Sequence, residues 1–335
     1  MMRTAAVIGC GDVSAVHFGA ISASPGIELA AVCDPDLDRR SAAVAHHGVA
    51  AYEDYETLLD AVHPDVVHIC TPHHQHAAMA IAALERGINV ILEKPLSHTL
   101  AGGKRLVQAA ARSSARIGVC FQNRYNAPVQ AMASLLGDGG LGAVTGAAGT
   151  VMWSRTPAYY LDRPWRGQWS TGGGGLLMNQ AIHTLDLLQW LVGEVTEVRG
   201  HAGTRALAGV IEVEDTADLS LTHANGARSV FYATLANAVN APVTLDIYTE
   251  KAVLNLRGAL TVSYADGRVD VVPEREAVTD GRAYWGASHA LLIQDFYRTL
   301  DEPGAFWISP SEALKSLRII KDVYAQSYPA AVPFG

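Results

Sequence analysis

Residues 7–18 read VIGCGDVSAVHF, and the turn inside that stretch decides how the chain begins. An apolar run meets Gly9 and Gly11, with Ser14 at a third small position, just before a segment suited to helix. Glycines there permit a tight turn and let the backbone approach a pyrophosphate, which then lies at the positive end of the following helix; the third position needs only to be small. Asp34 closes the next apolar run twenty residues beyond Ser14, where a carboxylate binds the ribose hydroxyls of NAD and repels a 2′-phosphate. Arg39 and Arg40 follow closely and leave NADP open as a second cofactor. Asp34 also precedes Pro35, the composition of a turn start.

Working outward, apolar runs recur at 4–10, 28–33, 65–70, 88–92 and 116–121, separated by alanine-rich segments such as AAMAIAALERG and GGKRLVQAAARSS. Buried strands alternating with helices predict a parallel sheet covered on both faces over 1–122. Beyond that point the texture changes. TADLSLTHANGARSVFYATL and VTLDIYTEKAVLNLRG alternate apolar with polar residues, with turn residues at Asn225–Gly226 and Glu250–Lys251. Such alternation predicts hairpins in a largely antiparallel open sheet. Helices at 175–193, 288–300 and 311–327 are expected to cover its other face. The fold class is therefore α/β in both halves, with a C-terminal α/β domain over 123–335.

Composition narrows the partners. The chain of 335 residues carries a net charge of -8, which argues against nucleic acid or an anionic membrane surface. The apolar run near the N-terminus ends at Gly9, too short for a signal peptide, and no stretch reaches membrane-spanning length. Cys10, Cys33, Cys70 and Cys120 stand singly, without a CxxC pair, and read as free thiols of a cytoplasmic protein.

Three segments carry chemistry. INVILEKPLSHT, residues 88–99, ends an apolar strand on Glu93, Lys94 and Pro95. A lysine is seldom buried without a partner, so the charge pair marks either an ordinary strand end at solvent or a lysine fixed at the mouth of a cleft. CTPHHQH places Thr71, Pro72, His73, His74 and His76 at a strand end entering a helix. No carboxylate joins them locally and Cys70 is read as a free thiol, so the loop reads as lining the cofactor cleft, with no metal expected. In GGGGLLMNQAIHTLDLLQW, Asn179, His183, Asp186 and Trp190 are spaced by four, three and four on one helical face. A mid-helix histidine on an apolar segment is ordinarily a satisfied core residue, but the glycines before it let a ligand or another backbone come close.

The glycine turn, the TP-x-x-x-H and EKP segments and GGG…NQAIHTLD together resemble, in order, the Gfo/Idh/MocA family of nicotinamide-dependent oxidoreductases. The resemblance covers nearly the whole chain. It implies a Rossmann domain binding NAD, a C-terminal domain whose open sheet makes homodimers or homotetramers, and Lys94 as a catalytic lysine held by a cis bond to Pro95. His183 would exchange a proton with the substrate hydroxyl, with Glu93 helping to position or neutralise Lys94. The cofactor would lie against Gly9, Gly11, Asp12, Val13, Asp34, Thr71, Pro72, His76, Glu93 and Lys94. Substrate would meet Lys94, Arg124, Trp165, Arg166, Asn179 and His183. Many relatives have Asp where this chain has Asn179, and an amide cannot accept a proton at neutral pH, so the proton role falls to His183 and Lys94.

Just before the histidine helix, MWSRTPAYYLDRPWRGQWSTGGGG packs Arg155, Arg163 and Arg166 among Trp153, Tyr159, Tyr160, Trp165 and Trp169. Arginine forks suit carboxylate or phosphate and aromatic faces stack on sugar rings, yet the same residues are enriched in subunit interfaces. The expected function is oxidation of a ring hydroxyl of a sugar, cyclitol or nucleotide sugar to a ketone, or the reverse. An NAD-dependent glycosidase and a non-catalytic sensor of cofactor and sugar are the alternatives on this scaffold.

Overall fold

A computed structural model describes residues 2–275 and 286–329, so the ends of the expected domains at residue 1 and at 330–335 lie outside the described residues. The chain forms two compact units. Met1–Ser97, Ala101–Gln122 and Ala277–Leu314 belong to the first; His98–Leu100, Asn123–Glu276 and Lys315–Gly335 belong to the second. Among the described residues no helix is long and apolar enough to cross a membrane.

The first unit runs β1 (Arg3–Ile8), α1 (Ser14–Ser22), β2 (Ile27–Cys33), α2 (Leu37–His47), β3 (Ala50–Tyr52), α3 (Tyr55–Val62), β4 (Val66–Ile69), α4 (His73–Glu85), β5 (Asn89–Leu92), α5 (Leu100–Arg112) and β6 (Ile117–Val119). Its six strands are parallel, in the order β3-β2-β1-β4-β5-β6. Every residue of β4, and Ala5 to Ile8 of β1, is buried, as a sheet covered on both faces requires. Because the strands are parallel, the turns that follow β1, β2, β4 and β5 gather at one carboxyl edge, where open α/β sheets bind ligands. The edge strand β3 has only three residues and no apolar run to announce it.

In the second unit, α6 (Ala127–Gly137), β7 (Val144–Met152), α7 (Pro157–Leu161) and α8 (Trp169–Gly172) lead to a π-helical turn at Leu177–Ala181 and to α9 (Ile182–Val192). There follow β8 (Val195–Gly203), β9 (Thr216–His223), β10 (Arg228–Thr234), β11 (Thr244–Thr249), β12 (Ala252–Arg257), β13 (Ala259–Tyr264) and β14 (Val269–Val272). The eight-stranded sheet has the order β14-β13-β12-β11-β7-β10-β9-β8, antiparallel except where β10 joins β7. The expected hairpins are present: β9 turns into β10 through Asn225–Gly226, with Gly226 at φ 87, and β11 turns into β12 at Glu250–Lys251. Alternate residues are buried: Phe231 and Ala233 of β10 face inward while Val230 and Tyr232 face out. On the inner face α9 packs on β7: a Cβ at Gly149 would lie 3.4 Å from Leu188 and Thr184 of α9, and 3.1 Å from Phe231 of the neighbouring β10.

The last two helices are α10 (Gly286–Arg298) and α11 (Pro310–Ser327), the greater part of α11 lying in the second unit. The helix expected over 288–300 does not back the antiparallel sheet. It packs in the first unit, against α1, and Phe296 and Phe306 close on Gly118 of β6, where a Cβ would stand 2.9 and 2.7 Å from their rings. Its apolar stripe fits either sheet, so periodicity alone did not specify which one it covers.

Candidate active site

At the carboxyl edge of the first sheet the glycine turn is held by its own backbone. Gly9 has φ 93, its N–H donates to Cys33 O at 2.7 Å, and a Cβ there would stand 2.8 Å from the Cys70 carbonyl. Side chains are thus barred at Gly9 by conformation and by space. Ser14 Oγ donates to Gly11 O at 2.6 Å and opens α1. Nothing lies within 4 Å of a Cβ built on Gly11, so the backbone is open there to a close approach. Asp12 is exposed and Val13 half-buried in the same turn.

Asp34 is buried at the end of β2, and both its oxygens accept backbone N–H groups: Oδ2 from Cys10 at 2.8 Å and Oδ1 from Asp36 at 2.9 Å. The carboxylate therefore braces the glycine turn, and each oxygen keeps lone-pair capacity for a further donor such as a ribose hydroxyl. Arg40 is turned to the protein: Nη1 donates to Asp34 O at 2.5 Å and Nη2 lies 3.7 Å from Glu53. Arg39 sits more openly, 3.6 Å from Asp36. The open Gly11 backbone, the N-terminus of α1 and the oriented Asp34 fit a dinucleotide. Burial, then the Asp34 charge, pushes the Cys10 thiol up to about 12, so that thiol stays protonated.

After β4, Thr71 and Pro72 lead into α4, and His76 staples two strand ends. Its Nδ1 meets Pro95 O at 2.7 Å and its Nε2 meets Thr71 O at 2.8 Å. Burial pushes His76 down, whereas carbonyls at both ring nitrogens reward two N–H donors. The Lys94–Pro95 bond is cis, as the resemblance implied, and Lys94 is half-buried. Glu93 is 5% exposed and centres a cluster that sequence reasoning missed. Its Oε1 meets His17 Nε2 at 3.2 Å and His289 Nε2 at 2.9 Å, and its Oε2 accepts the Lys94 N–H at 3.2 Å. His17 Nδ1 in turn lies 2.8 Å from His68 Nδ1, and His68 Nε2 lies 2.6 Å from the Tyr297 hydroxyl. The hydrogen bonds from His17 and His289 hold the Glu93 carboxyl well below the usual carboxylate range despite its burial.

In the second unit the glycine run before the histidine helix is consumed by packing. A Cβ at Gly173, Gly174 or Gly175 would run into His98, the Tyr324 hydroxyl or the Glu214 carbonyl respectively. It is another part of the chain that comes close there. Buried Glu214 accepts the N–H groups of Gly175 and Leu177, each at 2.8 Å, and the Tyr324 hydroxyl at 2.7 Å. Lys321 Nζ donates to His98 O at 2.5 Å and Gly173 O at 2.7 Å.

The run ends in the π-helical turn that carries Asn179, and His183 follows, half-buried, on α9. A π turn is wider than an α turn, so the phase between Asn179 and His183 departs from the regular helical face read in the sequence. Tyr159 OH accepts from Asn179 and Gln180, both at 3.2 Å, and the Arg166 guanidinium lies 4.5 Å from the Tyr159 ring and 5.7 Å from that of Trp165. Asn179, Trp165 and Arg166 thus form one neighbourhood. Arg124 has a different place: it is 1% exposed and donates twice to Asp186, each at 2.7 Å, beneath Trp190. Ser316 donates to the same carboxylate at 3.0 Å. This is a core ion pair, and removing either partner would cost ~3–5 kcal/mol by stranding a buried charge.

Comparison with known proteins adds the relatives. Residues 3–121 match the oxidoreductase family with an NAD-binding Rossmann fold, and residues 129–255 match the GFO/IDH/MocA C-terminal domain. The D-apiose dehydrogenase of Paraburkholderia graminis is 32% identical over 228 residues, 67% of this chain but 58% of that protein's length. The levoglucosan dehydrogenase of Pseudarthrobacter phenanthrenivorans is 29% identical over 78% of this chain and 76% of its own. Among solved structures, the WlbA dehydrogenase from Bordetella pertussis, in complex with NADH and UDP-GlcNAcA, is 29% identical with a TM-score of 0.84, covering 98% of this chain and 97% of that one.

Proposed function

Because this chain belongs to the GFO/IDH/MocA oxidoreductase family, matched in both its NAD-binding Rossmann domain and its C-terminal domain, we propose that it is an NAD-dependent dehydrogenase acting on a ring hydroxyl of a sugar, cyclitol or nucleotide sugar. The observation that carries this reading is the carboxyl edge of the parallel sheet. The Gly9–Gly11 turn braced by Asp34, the β4 end at Thr71 and the β5 end at Lys94 are gathered there on rigid strand ends. When bound, NAD supplies the hydride acceptor. Gly11, Asp12, Val13 and Asp34 would hold it, with Thr71 and Pro72 beside them.

His183 takes the hydroxyl proton in oxidation and returns it in reduction, a function suited to an imidazole near neutral pH. Lys94 donates a hydrogen bond to the same oxygen and offsets the charge that develops on it. Asn179, Trp165 and Arg166 belong to the sugar side: an amide for hydroxyls, an aromatic face for the ring and a guanidinium for a carboxylate or phosphate. The dehydrogenase names of the relatives support a carbohydrate substrate.

The test is a panel of neutral sugars, cyclitols and nucleotide sugars scored by NADH absorbance, with Lys94→Ala and His183→Ala in parallel. At least one substrate should give net NADH, and each variant should lose ~10² to 10⁴ in turnover with NAD affinity within a few-fold of wild type. Full activity in Lys94→Ala, or cleavage of a glycoside without net NADH, would overturn the reading.

A further inference from the structure

The cluster behind the EKP segment joins residues from four elements. His17 comes from α1, His68 from β4, Glu93 from the end of β5, and His289 and Tyr297 from α10. None is more than 9% exposed. With Glu93 ionised and His17 and His68 neutral, one arrangement of protons satisfies every contact. His17 and His289 each donate through Nε2 to Glu93 Oε1, which leaves His17 Nδ1 as an acceptor. His68 must then carry its proton on Nδ1, its Nε2 becomes an acceptor, and the Tyr297 hydroxyl must donate to it. The donors all point one way, from Tyr297 through His68 and His17 to the carboxylate. Burial pushes His17 and His68 down, in keeping with neutral rings.

We propose that Tyr297, His68, His17 and His289 are positioning residues for the reaction: a directed chain of donors that fixes the Glu93 carboxylate as an anion against the Lys94 peptide, and so holds Lys94 in one place and one charge state. The proposal rests on the reading of Lys94 as catalytic. Other groups that act electrostatically on this site or are acted on by it are Cys70 after β4, Cys120 after β6 and His76 on α4. Burial pushes both thiols up, toward their neutral form, and pushes the imidazole down against the two carbonyls that favour its N–H donors; Glu93 supplies the fixed negative charge. His17, Glu93 and His289 also offer three donor atoms within 4.8 Å of one another, a composition that would suit zinc. An ion would need both Nε2 atoms deprotonated, which would reverse the chain so that His17 donates through Nδ1 to His68.

The experiment combines ¹⁵N-imidazole NMR of the full chain with kinetics. Wild type should show His17 neutral with its proton on Nε2 and His68 neutral with its proton on Nδ1, both unchanged from about pH 5.5 to 8.5. Glu93→Gln should lower turnover at least tenfold with NAD affinity within threefold, and move the basic limb of the pH–rate profile to lower pH because Lys94 loses a neighbouring anion. Tyr297→Phe, which deletes one hydroxyl, should move the same limb less and change the His68 tautomer; it carries the kinetic arm if Glu93→Gln does not fold. A merely structural cluster would lower stability and leave the limb where it is. A protonated His17 at pH 7, one equivalent of tightly bound zinc by elemental analysis, or unmoved limbs would overturn the proposal. Should Lys94→Ala keep its turnover, the catalytic reading itself falls; should Lys94→Ala be inactive while both limbs stay unmoved, only the positioning proposal falls.

Discussion

Asp34 serves the fold with one carboxylate and, on the proposed reading, the cofactor with the same one. Its oxygens brace Cys10 and Asp36, and in that reading the same charge would disfavour a phosphate on the adenosine ribose. Wild type should therefore prefer NAD to NADP in kcat/KM, and Asp34→Ser should erode the preference at least tenfold. The same substitution should cost ~1–3 kcal/mol in a denaturant titration, since two backbone donors lose their acceptor. Equal efficiency with both cofactors in wild type would show that Arg39 dominates; Arg40 is already engaged with Asp34 O and Glu53. The spacing of the glycines and Asp34 was legible because both lie within a short stretch of chain. Where the Arg40 guanidinium turns was not, because its partners are a carbonyl and a side chain on another element.

Among the elements, α11 clamps the glycine run that precedes the histidine helix. Burial pulls the Lys321 ammonium down to about 8 from an ordinary value near 10.5, opposed by the charge of Glu214. Between those pH values the unfolded chain binds the proton that the folded chain has released, so stability rises with pH across the window, by up to about 3 kcal/mol. The neutral amine keeps enough N–H donors for both carbonyls, so the clamp survives deprotonation. In urea titrations wild type should accordingly gain on Lys321→Met as pH rises from 7.5 to 9.5; a pH-independent difference would refute the assignment. What sequence disclosed at this scale follows from contact distance. Strands and hairpins came from local periodicity, whereas His17 meets His68, Glu93 meets His17 and Glu93 meets His289 across 51, 76 and 196 residues, separations that leave no periodic trace. The glycine run was visible, but its purpose was not: the backbone and Tyr324 that fill it come from distant parts of the chain.

For the whole molecule, the outer face of the eight-stranded sheet carries exposed apolar and aromatic side chains. Val230 is 58% exposed, with Tyr232 at 41% and Tyr248 at 39%, on β10 and β11 near the middle of the sheet order. A central strand face bearing valine and tyrosine is an unfavourable surface to leave in water, and such a face can meet its own copy about a two-fold axis. We expect this face to make the homo-oligomer. Light scattering on a sizing column should give wild type a multiple of 35.6 kDa, and the pair Val230→Lys with Tyr232→Lys should reduce it toward one chain by placing like charges opposite one another. The rival interface is the arginine and tryptophan loop ahead of the histidine helix, where Arg166 already stacks on Tyr159 within its own unit. If Arg166→Ala changes the mass while the sheet variant does not, that loop is the contact, and the guanidinium is no longer available to bind an acidic sugar. If Arg166→Ala instead keeps its mass and raises the KM for a nucleotide sugar far more than for a neutral one, the sheet assembles the oligomer and the loop selects the substrate.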